Sequence, residues 1–170
     1  MLDDICPVQF IEGVNEDGEI RKGGNILIDH LHNIAIGFTP RRTFLLNRIE
    51  VNLVWKGSIE PVEYDAKLYP DYHNNPASIV LREGKLIFNE TRSGVGWCNI
   101  DLNQPVVVFA GDNYWLGLES WEARFSLLQV NEGKKSVPFS EGEPGDWHSS
   151  TNVEYQFMLR LYGRVVPAVS

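Results

Sequence analysis

The sequence predicts an all-β fold, a single antiparallel β-sandwich of jelly-roll type with about ten strands. Apolar and polar residues alternate with period 2 in segment after segment, the pattern of strands with one buried face. Clusters of Gly, Pro, Asn and Asp separate those segments at short spacing. No window of a dozen residues carries the 3.6-residue period of an amphipathic helix.

Taken in order, residues 1–24 read as an arm and a loop, with a short apolar piece, Val8 to Ile11, before the hydrophilic run NEDGEIRKGG. Residues 25–166 form the expected sandwich, and residues 167–170 a tail. Asn25 to Asp29 and Asn33 to Thr39 are short strands around Asp29-His30-Leu31-His32. Pro40 then fixes its own φ and biases Thr39 toward extended geometry, which marks a turn. From Phe44 to Trp55, Ile49, Val51, Leu53 and Trp55 point one way and Arg48, Glu50 and Asn52 the other. The next strand sets Val62, Tyr64, Ala66 and Leu68 against Glu63, Asp65, Lys67 and Tyr69. Pro70 to Pro76 is rich in residues that favour turns. Ser78 to Leu81 and Lys85 to Phe88 read as short strands around Glu83-Gly84, the first of them also compatible with a helical turn, and Asn89 to Gly96 as a polar loop.

The centre of the chain, Trp97 to Ser120, turns Cys98, Ile100 and Leu102 inward, then Tyr114, Leu116 and Leu118, on either side of Gly111-Asp112-Asn113. Phe125 to Val130 is a further strand, and Ser140 to Ser150 a long loop. Val153 to Val166 closes the sheet, with Tyr155, Phe157, Leu159 and Leu161 on one face.

A formal net charge of −8 over 170 residues repels a phosphate backbone. The basic pairs Arg21-Lys22, Arg41-Arg42 and Lys134-Lys135 are isolated, so nucleic acid is not an expected partner. No apolar run approaches the roughly 20 residues of a spanning helix, so membrane insertion is not expected either. The acidic start lacks the basic and apolar regions of a secretory signal, which makes a cytoplasmic chain the default expectation. Cys6 and Cys98 are expected to be free thiols, because their spacing is that of neither a disulfide framework nor a zinc site.

Aromatic residues on the polar phase of strands are the candidate binding residues. Trp97 and Trp115 alternate against their apolar neighbours, and Tyr69 and Tyr162 do the same, with Asp65, Lys67, Asp101, Glu119 and Arg160 nearby. A flat ring surrounded by carboxylates, amides and Arg can stack on a sugar face and bond its hydroxyls. The expected ligand-binding set is Trp97, Asp101, Trp115, Glu119, Tyr69 and Arg160, joined from a loop by Trp147 and His148. The competing structural reading is that loops or a neighbouring subunit cover these rings, and that Trp147 plugs one end of the core. Asp71 and Asn74 offer hard oxygens suited to calcium, although turn geometry also explains them. His30 and His32 share a face with no third placed ligand. No nucleophile elbow, phosphate loop or HExxH motif occurs, so catalysis is not expected; the alternative, a glycoside hydrolase-like site, needs two carboxylates across a cleft.

The order of features resembles the extracellular β-sandwich domains called choice-of-anchor R. It is carried by Phe38-Thr39, Phe44, Ile49-Glu50-Val51, Leu68-Tyr69-Pro70-Asp71, Pro76, Ala110-Gly111-Asp112-Asn113-Tyr114-Trp115-Leu116, Trp147 and Gly163, with Ala77 where a Gly would follow Pro76. The resemblance implies a jelly-roll-like sandwich similar to carbohydrate-binding modules, with no established catalytic activity, in an extracellular or virion setting. The expected function is a non-catalytic binding module with carbohydrate as ligand. The alternative is a structural subunit of a phage tail, virion or other assembly, in which self-association uses the polar-phase aromatics.

Overall fold

A computed structural model of the chain describes residues 7–14, 23–28, 33–55, 62–88, 94–120, 126–132, 139–143, 146–149 and 155–165. Among the described residues every regular element is a strand. In chain order they are β1 (Gln9–Val14), β2 (Gly23–Ile28), β3 (Asn33–Phe38), β4 (Phe44–Trp55), β5 (Val62–Tyr72), β6 (Asn75–Pro76) and β7 (Arg82–Phe88). There follow β8 (Gly94–Val108), β9 (Tyr114–Ser120), β10 (Ser126–Glu132), β11 (Phe139–Glu143), β12 (Asp146–Ser149), β13 (Tyr155–Phe157) and β14 (Leu159–Val165).

The strands pair antiparallel, in the order β1-β14-β4-β8-β7-β5-β9-β3-β11-β12, and β10 joins β2, β13 and β4 off that path. The sheet curls, and its concave side closes on one apolar core. Phe44, Leu46, Ile49, Val51 and Leu53 of β4 meet Tyr64, Ala66 and Leu68 of β5, Leu116 and Leu118 of β9, and Leu159 and Leu161 of β14. At roughly 1.5–3 kcal/mol for each fully buried large aliphatic side chain, this cluster is the main source of cohesion.

The expected alternation holds through β4, β5, β8 and β9, with one phase change. Phe44 and Leu46 face the core, and so do Ile49 and Val51, because a bulge at Asn47 shifts the β4 register against both neighbours. Opposite it, β8 leaves β4 between Asp101 and Val106, where Pro105 has no N–H to donate.

Several expected boundaries are corrected. Gln9–Val14 lies within the expected arm, yet it pairs with β14, held at the sheet edge by burial of Ile11 and a hydrogen bond from the Arg41 N–H to Glu12 Oε1 at 2.8 Å. Residues 78–81 are not a strand: Ile79 and Val80 are exposed, and Glu83-Gly84 lies inside β7 rather than at a turn. The expected loop over 140–150 contains the β11–β12 hairpin, in which Gly142 faces Trp147. The side chain of Trp55, expected on the apolar face of its strand, lies outside the described residues, as does Cys6.

Candidate functional site

Because β7 is a continuous strand, the face opposite the core carries an unbroken polar ladder. Register places Tyr162 beside Arg48, Arg48 beside Asp101, Asp101 beside Lys85, Lys85 beside Asp65, and Asp65 beside Glu119. The neighbouring rung places Lys67 opposite Glu83. From Arg48 to Asp65, and between Lys67 and Glu83, neighbours carry opposite charges, an arrangement that stabilises cross-strand pairs by tenths of a kcal/mol each, whereas Asp65 and Glu119 at the end of the ladder are a like-charge pair.

Between these rungs lies an open groove of about 690 Å³, lined by Asp65, Lys67, Glu83, Lys85, Asp101 and Asn103, with Ala66 and Gly84 at its base. Glycine is required at 84 because β7 and β8 approach closely: a Cβ there would stand 2.6 Å from the Asp101 carbonyl oxygen. The groove offers donors and acceptors in alternation, and its described lining holds no Ser, Thr, Cys or His. Chemically it can hold a polar, multiply hydroxylated surface.

Trp97 and Arg160 come together beside this ladder. The Arg160 guanidinium sits 4.0 Å from the Trp97 ring centroid, reaching across β4 from β14 to β8. Arg48 sits in the same way 4.2 Å over the Tyr162 ring, whose edge meets Phe10. Register sets Glu50 beside Arg160 and Asn52 beside Trp97, and the two are 8% and 6% exposed although they face away from the core. Burial, then a hydrogen bond to Glu50 and its charge, raise the Tyr162 hydroxyl pKa above its ordinary value. Cys98 is free, and its thiol is pushed up to about 12, first by burial and then by the Glu50 charge.

Trp115 and Tyr69 form a separate cluster. They stand opposite each other on β9 and β5, on the face away from the core as their phase requires, but they are 1% and 2% exposed and pack with Ala35. Neither ring is an open platform. Tyr69 lies over Gly117, where a Cβ would come within 2.8 Å of its ring. The Trp115 indole N–H donates to Asp71 Oδ1 at 2.8 Å. One of the Asp71 oxygens expected for calcium is therefore bonded to an indole, and Asn74 is an exposed turn residue with φ of 64°. Near this cluster the path folds back on itself, since β12 comes alongside β6 and β6 alongside β9.

The expected site therefore divides. Asp101 enters the groove, Trp97 and Arg160 flank its ladder, and Tyr69 and Trp115 are covered, Tyr69 beyond Lys67 on β5 and Trp115 on the adjacent β9. Glu119, Trp147 and His148 are placed by their backbones, opposite Asp65, Gly142 and Glu141, and their side chains lie outside the described residues. Sequence reasoning misses Glu83, Lys85 and Asn103. The signal is present in the alternation of Glu83 and Lys85 against Gly84 and Leu86, but a Glu-Gly pair reads equally well as a turn. Among the described residues no group of three His, Cys, Asp or Glu side chains is placed to hold a metal ion. Likewise, no helix among them is long and apolar enough to cross a membrane. No protein-family model matches the chain, and a search of curated proteins returns no match.

Proposed function

We propose that the protein is a non-catalytic binding module, a jelly-roll-like sandwich in plan, whose groove takes a carbohydrate. The supporting observation is the groove itself: carboxylates, amines and an amide alternate on a rigid three-strand floor, open to solvent, beside the Trp97–Arg160 pair. Hydroxyls both donate and accept, so a sugar chain matches an alternating surface better than a ligand of one charge sign does. Sites on strands hold their side chains more rigidly than loops do, which lowers the ordering cost of binding. Affinity electrophoresis through gels containing soluble polysaccharides tests this reading. Retardation by at least one polymer, lost in Lys85→Ala/Asp101→Ala, is the expected result; no retardation across neutral and acidic polymers refutes it.

A second reading, self-association in an assembly, is favoured by a different observation. Val8, Phe10, Val107 and Phe109 are exposed large apolar residues at one end of β1 and β8. Light scattering after size exclusion separates the two: a monomer supports the module, and a stable oligomer dissociated by Phe109→Ser supports the assembly.

A further inference from the structure

The tip of the β5–β6 hairpin bears a second cavity, about 580 Å³, lined by Tyr72, His73, Asn75, Pro76, Ser78 and Ile79 together with Ala77. It shares no lining residue with the groove. His73 and Asn74 form a two-residue turn between the paired Tyr72 and Asn75, with φ of 49° and 64°. Two successive positive φ values are the mark of a type I′ hairpin, and His and Asn are among the non-glycine residues that accept them. The turn brings the His73 ring edge-on to Tyr72, with centroids 4.3 Å apart and planes at 74°. Tyr72 is nevertheless 65% exposed, and Ile79 is 67% exposed.

The walls are anchored. The Ala77 N–H donates to the Pro70 carbonyl at 2.9 Å, and the Leu81 N–H donates to the Leu68 carbonyl at 2.7 Å, so the 77–81 segment is pinned to β5 at both ends. A braced, exposed tyrosine loses little freedom when a ligand covers it. The volume falls within the roughly 300–1,000 Å³ of small-molecule sites. Among the described residues no Asp, Glu, Lys or Arg lines the cavity, which favours an uncharged ligand with one apolar face and peripheral hydroxyls.

We propose that this cavity is a subsite for one neutral hexopyranose ring, its C–H face on Tyr72 and its hydroxyls directed to Ser78 and His73. The proposal rests on the carbohydrate-module reading and adds to it a contact point away from the groove. The test uses the full chain labelled with 3-fluorotyrosine, whose six tyrosines give separate fluorine signals, with Tyr72 assigned by its loss in Tyr72→Phe. Methyl β-D-glucopyranoside, methyl β-D-galactopyranoside and methyl α-D-mannopyranoside are titrated in turn. One of them is expected to move the Tyr72 signal saturably, equally well in Lys85→Ala/Asp101→Ala. In saturation-transfer experiments Tyr72→Ala weakens that glycoside about tenfold, whereas Tyr72→Trp keeps its affinity. A Tyr72 signal unmoved by all three glycosides, while the groove variant abolishes polysaccharide binding, overturns the subsite and leaves the module standing. A Tyr72 signal that moves while the groove variant binds polysaccharide normally upholds the subsite and removes the groove.

Discussion

Replacing Gly84 by Ala adds one methyl group on the core side of β7, where its Cβ would lie 2.6 Å from the Asp101 carbonyl oxygen and 3.3 Å from Ile100 Cγ2. Ordinary contact begins near 3.4 Å, so the β7 and β8 backbones must separate by several tenths of an ångström. Only two register pairs, Gly84 with Leu102 and Lys85 with Asp101, join these strands among the described residues. Neither side-chain rotation nor solvent can relieve a clash with a backbone oxygen. Overpacking of this kind costs about 1–3 kcal/mol, which for a domain of this length lowers the melting temperature by about 2–12 °C. Gly96→Ala is the internal control, since a Cβ on that β8 residue would meet nothing within 4 Å. Thermal unfolding followed by circular dichroism compares the two variants. If Gly84→Ala melts within about 1 °C of Gly96→Ala, the close approach of β7 and β8 beneath the groove is wrong.

Three further outcomes are expected. Trp115→Phe removes the indole bond to Asp71 and leaves unfilled space beside Tyr69, and should cost about 1–3 kcal/mol in urea unfolding; wild-type stability in this variant would contradict the buried cluster. Arg160→Met keeps the aliphatic stem but removes the cation from Trp97, a loss of about 0.5–1 kcal/mol, and should speed oxidation of Trp97 by N-bromosuccinimide; an unchanged rate means the ring is not shielded. In a Cys6→Ser background, the raised Cys98 pKa predicts slow labelling by thiol reagents at pH 8 in the native protein and fast labelling in urea. Because the folded thiol titrates near 12 and the unfolded one near 9.0, the native state holds the extra proton between those values. The stability contributed by this thiol is therefore complete below pH 9 and declines from there toward pH 12, less steeply in Cys98→Ala.

How far the sequence can be read depends on what period 2 encodes. Alternation assigns faces, so the pattern alone separates Tyr64, Ala66 and Leu68 from Asp65, Lys67 and Tyr69, and sets Trp115 on the face opposite Leu116, as the fold has them. Alternation carries no record of whether a face is covered. Trp115 and Tyr69 are legible as facing away from the core but not as buried, because that depends on strands brought back from elsewhere in the chain. Bulges erase phase information too, as Asn47 does by setting Leu46 and Ile49 on one face. Gly84 misleads for a different reason: glycine serves both turns and close backbone approach, and only the neighbouring strand tells them apart. The partner of β1 is β14, at the far end of the chain, and local pattern cannot predict such a pairing.

Backbone amide shifts on addition of a polysaccharide that retards the protein show whether the groove is its binding surface. The largest changes are expected at Asp65, Lys67, Glu83, Lys85, Asp101 and Asn103, with small ones along β1 and β14. Shifts confined to Val8, Phe10, Val107 and Phe109, scaling with protein concentration and indifferent to the polysaccharide, would contradict that expectation and make the protein a self-associating subunit.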